Sequence, residues 1–227
     1  HFTRALELTP SENIEKQYKL RLARERVYSH LGQREQQEQE LSKLKTLSPQ
    51  LTNPDHKIQI LLRECELAGF VADYARGIRA MGQALIIGRQ AQLITPIIDA
   101  LTQWGYLLMQ QGELDSAQEK LEESYELASA NQLQKQQALI TQHLSQLYSR
   151  KGLYEKGKSF GLRSAELAEK VENWGQMGIA LNNIGICDYY LGNFSIAKHY
   201  FQKSLKAKQT IGDRLGEVSS IQNLGII

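Results

Sequence analysis

Cysteine, proline and long apolar runs are scarce in this 227-residue chain. Its two cysteines, Cys65 and Cys187, are too few for a disulfide framework and read as buried, reduced thiols of a cytoplasmic protein. Four prolines leave long stretches free to be helical. No apolar run approaches the ~18 residues of a spanning helix, so no membrane partner is expected. Charge of one sign is also missing: 27 basic residues face 25 acidic ones, for a net charge of +2. Such a chain has no field to draw nucleic acid. Chemistry is equally thin. There is no Gly-x4-Gly-Lys phosphate loop and no glycine-rich dinucleotide fingerprint after a strand. The five histidines show no metal spacing with each other or with the cysteines. His143 and Ser145 stand two apart, which on a helix turns them ~200° away from each other. The segment therefore reads as no enzyme, with no cofactor, metal or catalytic residue.

What is present is a period. Gly32, Gly112, Gly152 and Gly192 stand in register at steps of 80, 40 and 40, and the skipped position is the small Ala72. Five residues after each centre come Gln37, Gly77, Ala117, Gly157 and Ala197; seven before come Glu25, Cys65, Gly105, Ser145, Gly185 and Gly225. Both columns are mostly small. Within a unit the apolar spacing is helical, as in Ile140, Leu144, Leu147 and Tyr148. Each unit thus reads as helix A, a left-handed glycine turn, and helix B. The small columns let the two helices approach closely. A fixed period of ~40 residues means units that pack on their neighbours.

These residues resemble the tetratricopeptide repeat (TPR) over units three to five, residues 95–211, and the fifth unit, LNNIGICDYYLGNFSIAKHYFQKSL, shows the pattern best. The first unit departs from the pattern, with Arg34 and Gln37 in place of an apolar and a small residue. The LNNIG, GDR and QNLG signatures are similar to Pins-type adaptors and kinesin light chains. The opening YKLRLARERVYSHLGQREQQEQEL resembles the start of repeat arrays in bacterial regulators that join a cyclase or kinase domain and a signalling ATPase to such repeats. The resemblance implies an all-α, right-handed superhelical solenoid. It implies a protein-interaction scaffold within a larger cytoplasmic signalling or transcriptional regulator, or alternatively a peptide-signal receptor that changes pitch on binding.

The expected units are residues 14–54, 55–94, 95–132, 133–173 and 174–213, between a helix B remnant at 1–13 and a half repeat at 214–227. Helices should begin near 14, 34, 55, 73, 95, 114, 133, 154, 174, 194 and 214. The segment 47–55, with Pro49 and Pro54, is the best candidate for a break. The chain reads as a piece of a longer protein, able to self-associate through Ile221, Leu224 and Ile227 of the last half repeat. By the resemblance, helix A lines a concave groove. Polar residues nine and ten before the centres then form a ladder along it, and an aromatic lies one or two turns further on. The expected contacts are Gln103, Gln142, His143, Asn182, Asn183, Tyr190 and Asn223. Amides in a ladder either capture a partner's main chain or brace neighbouring repeats. No basic clamp for an acidic chain terminus is present.

Overall fold

The computed structural model describes the whole chain, His1–Ile227. It is all-α: twelve helices and one 3-10 turn, Ser48–Gln50, with no strand. The helices are α1 (Phe2–Glu7), α2 (Ile14–His30), α3 (Arg34–Leu47), α4 (Pro54–Phe70), α5 (Tyr74–Gln90), α6 (Ile94–Gln111), α7 (Leu114–Ala130), α8 (Gln134–Arg150), α9 (Tyr154–Lys170), α10 (Trp174–Tyr190), α11 (Phe194–Thr210) and α12 (Arg214–Gly225). From α2 onward a helix starts every twenty residues, each within one residue of its expected position.

The turns explain that regularity. Gly32, Gly112, Gly152, Gly192 and Gly212 have positive φ, between 68° and 87°. Ala72, Gln92, Gln132 and Glu172 take the same left-handed conformation, with φ from 53° to 57°. A left-handed residue therefore closes both the A-to-B and the B-to-A turns. After α8, the Gly152 N–H donates to Ser149 O at 3.0 Å and the Leu153 N–H to Tyr148 O at 2.9 Å. The same pair recurs at Gln92 and Leu93 after α5. These bonds satisfy the last carbonyls of each helix and reverse the chain in three residues. The exception is the segment 47–55. There the 3-10 turn leads to Leu51, which is buried, and Asn53 Oδ1 accepts from the Asp55 N–H to start α4 at Pro54. This segment, expected as a break, lies inside the first of two compact units, His1–Leu107 and Leu108–Ile227; the division falls within α6.

In the first unit, Tyr18, Leu22, Leu41, Leu44, Leu51, Ile60 and Leu67 form one core cluster. Beside it the small columns give way to polar groups. Glu25 and Gln37 are both fully buried. Gln37 Nε2 donates to Glu25 Oε1 at 2.7 Å, and Arg63 Nε donates to Glu25 Oε2 at 2.7 Å. Arg63 also pairs with Glu66. A satisfied network thus spans α2, α3 and α4 where other repeats use close backbone approach. Arg34 has a similar rationale: its guanidinium lies 3.9 Å above the Phe70 ring.

In the second unit the small columns work by proximity. Ala117 and Ala197 are fully buried. A Cβ on Gly185 would lie 2.6 Å from Phe201 Cε1, and one on Gly157 3.1 Å from Ser145 O. Gly105, the matching residue of the first unit, is buried as well. Helix B serines tie the pairs together: Ser164 Oγ donates to Ala138 O at 3.0 Å, and Ser204 Oγ to Gly178 O at 2.7 Å, forty residues on. Cys65 and Cys187 are free and buried; burial pushes their thiols up to about 12 and about 11.

Two substitutions test this packing. Gly185→Leu should destabilise the protein by ~1–3 kcal/mol, because the Phe201 ring occupies the space; an unchanged urea midpoint would show that the ring yields freely. Ala72→Gly should stabilise it by up to about 1 kcal/mol, since glycine adopts the left-handed turn without a Cβ clash. A lower midpoint would refute that.

Candidate protein-binding face

The amide ladder has to be placed residue by residue. Helix α10 advances 100° per residue. Ile179, Ile186 and Tyr190 therefore share one stripe, and Asn182 and Asn183 flank it on either side. Ile179 is 36% exposed, Ile186 half-buried and Tyr190 60% exposed. Tyr190 stacks on Tyr154 at 4.8 Å with near-parallel rings, and Tyr189 meets both Tyr190 and Phe194 edge-on at 5.5 Å. Four aromatic rings thus cluster where α10 ends and α9 and α11 begin. Tyr190 and Tyr154 occupy the same two positions, 120 residues on, as Phe70 and Arg34. This contact braces the repeat and still leaves a broad aromatic edge outside.

The asparagines split between two roles. Asn223 Nδ2 donates to Asn182 Oδ1 at 2.9 Å, so this pair joins α12 to α10. Asn183 is 6% exposed, and its Nδ2 makes no hydrogen bond within the protein. The contrast with the first unit supplies the reason. Arg63 stands 120 residues before Asn183 and reaches back to Glu25. The residue matching Glu25 is Ser145, whose hydroxyl is short and already donates to Gly157 O at 2.8 Å. An amide donor buried without a partner costs ~1–3 kcal/mol.

Gln142 and His143, expected to face a partner, are instead both buried, at 6% and 8% exposure. On α8 the outward positions are taken by Leu139, Gln146 and Arg150, with half-buried or exposed side chains. Burial pushes the His143 imidazole down to about 4, against a hydrogen bond with Gln146 that works the other way. It is neutral at neutral pH. Arg150 is spent on bracing: Nη1 donates to Met109 O at 2.7 Å, at the end of α6. Gln103 is half-buried on the part of α6 that belongs to the first unit. The surface stripe of α10 was missed in part, at Ile179. Apolar residues stand on every side of that helix, so no periodicity marks the uncovered ones. No cluster of three or more His, Cys, Asp or Glu is placed to hold a metal ion. No helix is long and apolar enough to cross a membrane.

Residues 136–210, which run from α8 to the end of α11, match the family model of the tetratricopeptide repeat. The fold is that of a TPR array. Solved structures agree. BtubC (BKLC) from P. vanneervenii is 14% identical, with a TM-score of 0.69 over 92% of this chain and 83% of that one. A Rap protein complexed with Competence and Sporulation Factor is 16% identical, with a TM-score of 0.71 over 98% and 66%. A signal-transduction ATPase with numerous domains and a TPR sensor, from Pyrococcus horikoshii, is 12% identical, with a TM-score of 0.71. It covers 99% of this chain, which spans only 38% of that protein. At these identities the likeness is one of fold. No curated protein sequence matches the chain.

The buried imidazole of the array yields a pH prediction. The unfolded chain takes up a proton at His143 near the ordinary 6.5, and the folded chain only near 4. Stability from this residue is therefore complete above pH ~6.5 and falls as pH drops toward ~4, by up to about 3 kcal/mol. In His143→Gln that part of the acid-side slope should vanish. Superimposable pH–stability slopes for variant and parent would refute it.

Proposed function

We propose that this TPR array is a non-catalytic protein-interaction scaffold that holds an extended partner segment along α10. Ile179, Ile186 and Tyr190 supply the apolar contact, and Asn183 and Asn182 supply the polar one. The observation that carries the reading is the unmade Asn183 donor beside an uncovered apolar–aromatic stripe. An extended chain brings unpaired backbone carbonyls, and a carbonyl is the acceptor that this amide gains when its side chain, 6% exposed at rest, turns outward to meet the partner. Tyr190 adds a large contact area with a polar tip. Gln142 and His143, both buried on α8, take no part in the contact. In its full setting the array serves a larger cytoplasmic, bacterial signalling or transcriptional regulator. The Rap protein of similar fold is held with Competence and Sporulation Factor, which favours a peptide signal as the second reading, with the same face as receptor.

The test is a pull-down from native lysate, followed by titration of the captured partner. Asn182→Ala with Asn183→Ala should weaken binding roughly ten- to a hundredfold, at an unchanged helical signal. A folded double variant that binds like the parent would rule the face out. A change in radius of gyration on binding, by solution scattering, would favour the receptor reading over the scaffold.

Self-association has a site of its own in this proposal. On α12, Leu215 is 87% exposed, and Val218 and Ile221 are about half exposed. A second copy covers this stripe at high concentration. Val218→Asp with Ile221→Asp should then keep the protein monomeric by light scattering where the parent is not. Equal masses for both at every concentration would refute it.

A further inference from the structure

The second unit contains a cleft that the amide face does not use. It lies between the carboxy-terminal halves of α9 and α11, over the first two turns of α10, with a volume of about 570 Å³. Met177 and Leu181 form its floor, and Trp174, 50% exposed, forms its rim. These three residues sit at i, i+3 and i+7, about half a turn round α10 from Ile179 and Tyr190.

The same place in the first unit provides a control. Between α3 and α5, over α4, a cleft of about 280 Å³ is lined by Lys45, Lys57, Leu61 and Ile87. Each of these stands 120 residues before a residue of the larger cleft. Leu61 matches Leu181, and Lys57 matches Met177. Lys45 and Ile87 match Ala165 and Ala207, which line the larger cleft. Two long wall side chains are thus replaced by methyl groups, and the cleft opens to a size typical of ligand sites. A gap between successive B helices belongs to the fold; its width and apolar lining belong to these residues.

The charges have a direction. On the α9 wall, Glu166 is neutralised by Arg163 at 2.8 Å and Lys170 at 2.7 Å, and Glu169 stands beside it. On the α11 wall, Lys203 and Lys206 line the cleft and form no ion pair within the protein. The floor offers no hydrogen-bonding group. An extended segment would leave its backbone unpaired there, whereas a helix pairs its own.

We infer that this cleft docks an amphipathic α-helix of a partner protein, with the helix's apolar stripe over Trp174, Met177 and Leu181 and its acidic edge on Lys203 and Lys206. The site is independent of the amide face, and of a different kind: one takes a chain that needs backbone partners, the other a chain that has none to spare.

The probe is a synthetic helical peptide with Leu at i, i+3, i+4 and i+7 and Glu along one edge; its counterpart carries Lys at the Glu positions. The indole N–H resonance of Trp174, assigned with Trp174→Phe, reports binding. The Glu peptide should shift it saturably and bind about tenfold tighter than the Lys peptide. Lys203→Glu with Lys206→Glu should reverse the preference. Ala165→Lys with Ala207→Ile, which copies the narrow cleft, should abolish the shift at an unchanged urea midpoint. Asn182→Ala with Asn183→Ala should leave the titration as it is, which separates this site from the amide face. Equal affinity for both peptides, no shift at millimolar peptide, or a shift that survives the cleft-filling pair would overturn the proposal. So would a Trp174 shift that tracks protein concentration without peptide, which would assign the cleft to a second copy of this chain.

Discussion

A left-handed residue at every twentieth position from Ala72 to Gly212, and at Gly32 before them, sets the geometry on which the rest of this molecule depends. It ends each helix with its final carbonyls bonded and sends the chain back within three residues. Helices mostly of 17 residues then meet in equal register, and the side chains that touch recur at fixed steps. The conformation suits glycine best, yet Ala72, Gln92, Gln132 and Glu172 adopt it too. Backbone bonding and packing on both sides outweigh the ~1–2 kcal/mol that a Cβ loses there.

Equal register does not demand equal chemistry. The contact between helices A and B is made in the second unit by small residues: Gly157 against Ser145, and Gly185 under the Phe201 ring. At the corresponding place in the first repeat, between α2 and α3, Glu25 and Gln37 meet with both side chains buried, and Arg63 neutralises the carboxylate from the next helix. Close approach of backbones and a closed polar network are alternative ways to fill one space. The second demands that all members be present, because any one lost leaves a buried charge or amide unpaired. The end-of-helix contact shows the same freedom, as an arginine over Phe70 in one unit and two stacked tyrosines in the other.

The functional surfaces arise where that freedom leaves something unfilled. Asn183 is buried without the partner that Arg63 finds, because a serine stands where a glutamate would reach it. Ala165 and Ala207 leave a space that Lys45 and Ile87 close in the other unit. The two unfilled places differ in polarity, and polarity selects the conformation of what each can hold. A polar donor beside an apolar stripe suits an extended chain, and a smooth apolar floor suits a helix.

The sequence by itself determined the all-α class, the helix starts and the turn residues, because these rest on local forces: the 3.6-residue period, the left-handed turn and the small columns. Gly32, Gly112, Gly152 and Gly192 were legible for that reason, and so was the odd first unit. Only the tertiary structure decided what each repeated column does. Asn182 and Asn223 pair with each other, Asn183 does not pair, and Gln142 and His143 disappear inside, although all five belong to the same two columns. Whether a polar side chain braces, binds or is buried depends on the length and bonding of a neighbour about forty residues away, such as Ser145 opposite Asn183. The cleft over Trp174 was hidden for a related reason: its width depends on two alanines that are far apart in the chain and face each other only once α9 and α11 have packed on α10.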